Sequence, residues 1–276
     1  MELQGGAVLL DFIEEDGIAR ITLNRPERRN AFNSAQNNGV GEALKLIEAN
    51  DKIGCVITVG AGGVAFSSGN DLYEMRDRRD NPEKYKDQPS GAEENRNEAL
   101  RLFSKPTLAI VDGFCLGGGL HFMCMHDIAI AADNAQLGLP EIIRGSYASA
   151  ISLKLSTYIP LKKVFYLQQS GRYISGTEAD QWGLVTKAVP QAELYDYSYA
   201  LAKEIASHSH VALMYGKKVV YGVVEPQFKA GRDAAHIGQG MGREIDPIEN
   251  LEGYLQSQKR RTGTYQPGTY VRPSGT

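Results

Sequence analysis

Two glycine-bearing loops carry backbone groups that could do chemistry. Ser68–Asp71 follows one strand-like run, and Gly117–Gly119 follows another and opens a helix. Backbone N–H groups at the start of a helix have no internal acceptor and lie at the positive end of its dipole. Two such donors that converge on one point form an oxyanion hole, which stabilises charge that develops on a carbonyl oxygen. The alternative is that these glycines only mark tight turns, because a glycine pattern alone carries little information.

Two side chains could transfer protons near these loops. Glu141 lies in the run LGLPEIIRG, where apolar neighbours would raise its pKa into the range of a useful acid or base. The alternative is an exposed loop glutamate that pairs with Arg144. His121 lies two residues after the glycine triplet, on the first turn of the helix, where a histidine is more often packed than catalytic.

A dinucleotide-binding fingerprint also has to be weighed. The segment Gly60–Ala65 fits the G-x-G-x-x-G/A pattern after a strand. However, residues 66–70 (FSSGN) are a poor helix start, and the acidic residue expected about 20 positions later falls in a highly charged segment. We therefore reject a nucleotide-binding fold of that type.

Strand, glycine loop and helix recur along the chain. Val8–Ile13 and Ile18–Leu23 read as a hairpin around a polar turn, and helices are expected over Ala35–Asn50 and Glu93–Ser104. This alternation predicts an α/β domain with buried strands. The highly charged segment Asp77–Glu94 is interpreted as a solvated surface loop.

The C-terminal part reads as mostly helical. Ser175 and Glu178 fit a capping box, and helical periodicity covers Gln191–Ser207 and Met214–Tyr221. Residues 248–261 are amphipathic, and a Gly/Pro/Thr-rich tail follows them. The boundary between core and helical appendage is expected near residues 171–190.

Composition narrows the function classes. The 276 residues carry a net charge of −3, so no global basic field attracts nucleic acid or an anionic membrane surface. The apolar runs are too short to span a bilayer, and the N-terminal residues lack the features of a secretion signal. Cys55, Cys115 and Cys124 lie in apolar contexts typical of buried, reduced thiols. No cysteine or histidine cluster has metal-ligand spacing, and these observations favour a cytoplasmic protein without a metal.

Six ordered motifs run along residues 8–261: RPERRNAF, AFSSGNDLYEM, KPTLAIVDGFCLGGG, LPEIIRG, SGTEADQWGLV and EGYLQSQKR. Together they resemble the crotonase (enoyl-CoA hydratase/isomerase) superfamily. The resemblance implies an α/β fold with a spiral core of ββα units over residues 1–190 and a helical region that forms trimers over residues 191–262. Two trimers often form a hexamer in this superfamily. The composition of the tail over residues 263–276 predicts disorder.

The resemblance also implies an acyl-CoA thioester substrate, with coenzyme A as part of the substrate and no separate cofactor. The oxyanion-hole N–H groups would be those of Asn70 and Gly118, and Glu141 would be the acid–base group. The segments that contain Ala31 and Ser68 would line the CoA site, and Arg28 and Arg29 are candidates for phosphate contacts. Three tyrosines have hydroxyls that could meet a phenol, namely Tyr73, Tyr147 and Tyr221, and the first two are candidate substrate-binding residues.

One departure from the family pattern leaves the reaction open. Hydratases of this superfamily commonly carry a glutamate where this chain has His121, so hydration by two glutamates is in doubt. The one-glutamate alternatives are enoyl-CoA isomerases, hydroxycinnamoyl-CoA hydratase-lyases and enzymes that hydrolyse a C–C bond in a cyclic β-keto acyl-CoA. Alternatives of another class are an RNA-binding protein, which the pI of about 6.0 disfavours, and a non-catalytic assembly subunit. The prediction is an acyl-CoA enzyme of the hydratase/isomerase type with Glu141 as acid–base group and His121 as a candidate second group.

Overall fold

The chain folds around two sheets, and the computed structural model describes residues 1–86 and 92–224. The strands of the first sheet are β1 (Glu2–Leu3), β2 (Val8–Ile13), β3 (Ile18–Leu23), β4 (Cys55–Gly60), β6 (Thr107–Val111), β8 (Ile128–Ala132) and β11 (Lys187–Val189). The strands of the second sheet are β5 (Ala65–Ser67), β7 (Phe114–Leu116), β9 (Gln136–Gly138) and β10 (Tyr173–Ser175).

The first sheet has seven strands in the order β1-β2-β3-β4-β6-β8-β11. The predicted hairpin is confirmed, because β2 and β3 pair antiparallel from Val8 opposite Leu23 to Ile13 opposite Ile18. From β3 onward, neighbouring strands of this sheet are parallel. Strands buried on both faces read as continuous apolar runs, which explains why β6 (TLAIV) lacks alternation.

The second sheet has four strands in the order β10-β9-β7-β5, and β5, β7 and β9 are parallel. The chain visits the two sheets in turn, since β4 is followed by β5, β6 by β7, and β8 by β9. Helices separate these strand pairs, which produces the expected spiral of ββα units. Residues 61–64 turn from β4 into β5 without opening a helix, so the rejection of a dinucleotide fingerprint is confirmed.

The helices cover the sheets with amphipathic faces. In α1, Asn33 caps the first turn by accepting a hydrogen bond from the Gln36 N–H, and the buried face includes Val40, Leu44 and Ile47. The helices are α1 (Ser34–Glu48), α2 (Leu72–Asp80), α3 (Ala92–Arg101), α4 (Gly118–Met123), α5 (Ser149–Leu155), α6 (Leu161–Ser170), α7 (Gly176–Trp182) and α8 (Leu194–Ala206). A further helix covers residues 210–224.

The interpretation of Asp77–Glu94 as a surface loop was largely wrong. Its first residues end α2, residues 82–85 form a short 3-10 helix, and its last residues begin α3. Charged side chains of this segment interact with each other. Asp77, for example, accepts hydrogen bonds from the Lys84 ammonium group and the Tyr85 hydroxyl. Local ion pairs can therefore stabilise helical turns that composition alone assigns to a loop.

The predicted capping box and C-terminal helices are confirmed as far as residue 224. Ser175 and Glu178 form the capping box that opens α7, and the helical periodicity after residue 190 corresponds to α8 and residues 210–224. The amphipathic segment 248–261 and the tail 263–276 lie outside the described residues. In the described part of the chain, no helix is long and apolar enough to cross a membrane.

Candidate active site

Three neighbouring strands of the second sheet end at one edge and deliver the predicted site residues there. Asn70 follows β5, Gly118 follows β7, and Glu141 follows β9. Because these strands are parallel neighbours, their carboxyl ends lie side by side, with β7 in the middle. The fold therefore brings together residues that are far apart in the sequence.

The loops after β5 and β7 are packed backbone against backbone. A methyl group in place of a hydrogen on Gly69 would lie 3.2 Å from the Gly118 nitrogen, and one on Gly118 would lie 2.6 Å from Asn70 Oδ1. Among the described residues, neither the Asn70 N–H nor the Gly118 N–H has a hydrogen-bond acceptor. Two adjacent, unsatisfied donors have the character of an oxyanion hole.

Gly117 sets the distance between this pair and Glu141. Its φ of 52° is in the left-handed region, and a side chain there would overlap Glu141 Oε1. Its N–H donates to the Gly138 carbonyl at 3.0 Å, which ties the loop to β9. A glycine is required here because the carboxylate lies against the backbone of the loop.

The environment of Glu141 disfavours its charge. Among the described residues, its buried Oε2 has no hydrogen-bond partner. Burial raises its pKa above the usual 4.5, and the negative charge of Glu93 adds to this effect, although Arg144 and the backbone oppose it. A carboxyl group with a raised pKa, beside two free N–H donors, can act as an acid or a base at a carbonyl compound.

His121 lies on the first turn of α4, as predicted, and its ring is held from α3. Asn97 Nδ2 is 3.1 Å from His121 Nδ1. Arg96 donates to Asn97 Oδ1 from Nε at 3.1 Å and from Nη2 at 2.9 Å, which leaves the Asn97 amino group to face the imidazole. A chain of contacts from Arg96 through Asn97 therefore positions the His121 ring.

Glu93, at the start of α3, is the site residue that the sequence did not reveal. Its Oε2 accepts a hydrogen bond from Asn70 Nδ2 at 2.8 Å, and its Oε1 is 3.8 Å from His121 Nδ1. The side chain is 32% exposed. Burial opposes its ionisation, but His121, the charge of Arg96 and the Asn70 amide together lower its pKa to about 2. Glu93 is therefore a carboxylate within reach of both Asn70 and His121.

Arg96 places a buried positive charge next to the Glu93 carboxylate. It is buried against the rings of Phe32 and Phe122, with its guanidinium carbon 3.7 Å and 4.8 Å from the two ring centroids. Its Nη2 is 4.0 Å from Glu93 Oε1, and its Nη1 donates to Asn37 Oδ1 at 2.6 Å. A planar guanidinium can stack on aromatic faces while its edges donate hydrogen bonds, so this buried charge is accommodated.

The expected CoA-binding segments lie against each other. Ser68 N–H donates to the Arg29 carbonyl at 2.9 Å, and Phe32 N–H donates to the Gly69 carbonyl at 2.7 Å. Arg28 and Arg29 are exposed next to these backbone hydrogen bonds. The Arg28 guanidinium lies 4.6 Å from the ring centroid of Tyr73. Ala31, by contrast, is buried, and its N–H donates to the Arg28 carbonyl at 3.1 Å while its carbonyl accepts from Arg25 Nη1 at 2.5 Å.

The remaining candidates divide between the site and the rest of the protein. Tyr147 is exposed after the 3-10 helix that carries Glu141, whereas the Tyr221 hydroxyl donates to Asp127 at 3.1 Å.

The three cysteines are buried and form no disulfide, and burial raises the pKa of the Cys124 thiol to about 12. They are therefore poor nucleophiles. Within residues 1–86 and 92–224, no group of three or more His, Cys, Asp or Glu side chains could hold a metal ion.

Comparison of the sequence and the fold with known proteins finds related proteins. The family model described as enoyl-CoA hydratase/isomerase matches residues 13–243. A hydroxycinnamoyl-CoA hydratase-lyase of Pseudomonas fluorescens is 34% identical over 206 residues, which is 74% of each chain. A 2,3-dehydroadipyl-CoA hydratase of Escherichia coli K12 is 32% identical over 244 residues, 86% of this chain and 92% of the relative. Among solved structures, EchA1_1 from Mycobacterium paratuberculosis has a TM-score of 0.76 and 29% identity over 94% of this chain and 98% of that one.

Proposed function

Because the chain belongs to the enoyl-CoA hydratase/isomerase (crotonase) family and is an acyl-CoA enzyme of that family, we propose that Glu141 is its acid–base group. The Asn70 and Gly118 N–H groups hold the thioester oxygen. When a proton leaves the α-carbon or a nucleophile adds to the β-carbon of an enoyl thioester, negative charge moves onto this oxygen. Two preorganised donors stabilise that enolate more than the starting thioester.

The observation that carries this proposal is the contact between Glu141 and the oxyanion loop. A side chain on Gly117 would overlap Glu141 Oε1, so the carboxyl group lies against the loop that carries the Gly118 N–H. A thioester oxygen bound at the N–H pair would place its α-carbon near Glu141. The raised pKa of Glu141 suits a group that alternates between acid and carboxylate at that carbon.

Glu141→Gln tests the proposal. The amide keeps the size of the side chain but can neither give nor take a proton, so we expect turnover to fall by at least about 100-fold while CoA-ester binding remains. Turnover is measured with a panel of straight-chain, aromatic and cyclic-keto acyl-CoA thioesters in heavy water, and binding is measured by calorimetry with acetyl-CoA.

Glu193→Gln is the matched control, because Glu193 is an exposed acid in another 3-10 helix and should leave turnover unchanged. Unchanged turnover in Glu141→Gln would contradict the mechanism. Product masses identify the reaction: water gained means hydration, and deuterium gained with a shifted double bond means isomerisation. An opened ring means C–C hydrolysis.

A second candidate reaction is cleavage by a hydratase-lyase. The 34% identity to a hydroxycinnamoyl-CoA hydratase-lyase favours it. So does Tyr73, whose exposed ring lies two residues after the loop that carries Asn70 and could meet a phenolic acyl group. Release of an aromatic aldehyde from a hydroxycinnamoyl thioester would identify this reaction, and hydration without aldehyde release would exclude it.

We also propose that the protein forms trimers, or hexamers of two trimers, in the cytoplasm and needs no cofactor beyond the CoA of its substrate. An apolar stripe on the helix of residues 210–224 supports the assembly. Its members recur at every fourth position and are 60% to 74% exposed: Val211, Tyr215, Val219 and Val223. Such a stripe is typical of a face that packs against another chain.

A further inference from the structure

We propose that Glu93 is a second catalytic carboxylate of this site, which takes a proton from water while Glu141 gives one to the α-carbon, so that the protein is a hydratase. The inference rests on the proposed function, because it requires the enolate that Glu141 and the Asn70 and Gly118 N–H groups would stabilise. In this proposal the second catalytic group, for which the sequence offered His121 as a candidate, is a residue of α3.

The position of Glu93 is fixed by contacts on both sides of the site. Asn70 reaches the Glu93 carboxylate with its amide, 2.8 Å from Nδ2 to Oε2, while the Asn70 backbone N–H belongs to the oxyanion pair. On the other side, Glu93 Oε1 is 3.8 Å from His121 Nδ1 on α4, the helix that Gly118 opens. Glu93 therefore reaches Asn70 and the helix that Gly118 opens, whereas Glu141 lies against Gly117 of the same loop and helix start.

The charges around the two carboxyl groups separate their roles. Arg96, whose guanidinium has no exposure to solvent, lies 4.0 Å from Glu93 Oε1, and this positive charge favours the carboxylate form. The pKa of Glu93 is lowered to about 2, whereas the pKa of Glu141 is raised by burial and by Glu93 itself. Neighbouring acids whose pKa values are driven apart mark a base and an acid.

The proposed step balances as an addition of water to an enoyl thioester. A water oxygen forms a bond to the β-carbon, and one water proton passes to the Glu93 carboxylate. The electron pair of the C=C bond moves into the enolate, whose oxygen accepts from the Asn70 and Gly118 N–H groups. The Glu141 carboxyl proton then goes to the α-carbon. Solvent returns a proton from Glu93 to Glu141, so the net change is the addition of one water.

A purely structural role for Glu93 is the competing explanation, since it neutralises a buried arginine. The same helix offers a matched pair for comparison. Glu98 and Arg101 have the same spacing as Glu93 and Arg96, with an N–O distance of 2.6 Å. Glu98→Gln therefore removes an equivalent ion pair from α3 without touching the oxyanion loops.

The experiment compares two reactions of the full-length protein. Water addition is followed with crotonyl-CoA and cinnamoyl-CoA, and α-proton exchange with the saturated thioesters butanoyl-CoA and phenylpropanoyl-CoA in heavy water. Exchange needs Glu141 and the oxyanion hole but no attacking water. We expect Glu93→Gln to lower kcat for water addition by about 100-fold or more and to retain exchange. Glu98→Gln should retain both reactions.

Water addition that survives in Glu93→Gln within a few-fold would overturn the proposal. A wild-type protein that exchanges the α-proton but hydrates neither thioester would also overturn it and would leave the proposed function standing. Absence of exchange in the wild type would overturn both.

Glu93→Asp keeps the test decisive if Glu93→Gln does not fold. The aspartate retains the charge beside Arg96 but withdraws the carboxylate by one methylene from the reacting water. We expect wild-type thermal stability, retained exchange and a loss of water addition of at least about 10-fold, since a shift of roughly 1 Å can cost about 100-fold in rate. Undiminished water addition in this variant would contradict the catalytic role.

Discussion

A carboxyl group that gives protons near neutral pH needs surroundings that disfavour its charge, and Glu141 has such surroundings. Its Oε2 is buried with no hydrogen-bond donor among the described residues, and the neighbouring Glu93 adds a negative charge. An arrangement of this kind is costly for folding, because the buried oxygen loses the hydrogen bonds that it makes to water in the unfolded chain. The cost should be visible as a pH-dependent loss of stability.

We expect Glu141→Gln to be more stable than the wild type at pH 8 and nearly equal to it at pH 4. Below the unfolded pKa of about 4.5, the folded and unfolded states both hold the Glu141 proton, so stability does not depend on this group. Above that pH the unfolded chain releases the proton while the folded protein retains it, up to the raised pKa. Wild-type stability therefore falls with rising pH through this window.

Melting temperatures of both proteins, measured between pH 4 and pH 8, check this prediction. Glu193→Gln should track the wild type at every pH, because Glu193 is exposed. A difference between Glu141→Gln and the wild type that stays constant with pH, or that shrinks as the pH rises, would show that the group is not buried as described.

At the scale of elements, the site depends on where β5, β7 and β9 end. The motifs around Asn70, Gly118 and Glu141 were recognisable in the sequence because each combines a strand with the breaker residues that follow it. Glu93 was not recognisable, since it lies in a charged segment that reads as solvated, and only the packing of α3 against α1 and α4 brings it to the site. Local patterns reveal strand ends and turns, but contacts made by a helix over long sequence separations leave no periodic signal.

The loop at Gly117 gives a prediction at this scale. Gly117→Ala should lower turnover by about 100-fold, because the new methyl group displaces the Glu141 carboxylate by an ångström or more. Gly63→Ala is the matched control: Gly63 also has a positive φ, 63°, but a methyl group there meets no atom within 4 Å. Both variants should lose stability, by roughly 1 kcal/mol or more, from backbone strain.

Steady-state kinetics and thermal melts of the two glycine variants distinguish the effect of backbone strain from the effect of displacing the Glu141 carboxylate. Gly63→Ala should keep wild-type turnover despite its lower stability. If both variants lost turnover to the same extent, or if Gly117→Ala remained active, the close contact between Glu141 and the loop would not determine activity.

At the scale of the molecule, all the groups assigned to catalysis come from one chain and from consecutive turns of the ββα spiral. The helix of residues 210–224 serves a different purpose, because it packs one side against the core and exposes the other. On the packed side, Lys217 donates to Asp127 Oδ2 at 2.8 Å and Tyr221 donates to Asp127 Oδ1 at 3.1 Å. The opposite side carries the apolar stripe, which is the contact that we propose for a second copy of the chain.

Val219→Glu should therefore reduce the mass of the particle in solution from a multiple of three chains to a single chain. Val219 is 69% exposed near the middle of the stripe, and a charge buried there without a partner would oppose association. Lys218→Glu is the control, since Lys218 is an exposed polar residue next to the stripe and the substitution also introduces a negative charge. Light scattering coupled to gel filtration gives the mass of each variant. A wild-type monomer, or a Val219→Glu protein that keeps the wild-type mass, would show that this face of the helix does not hold the chains together.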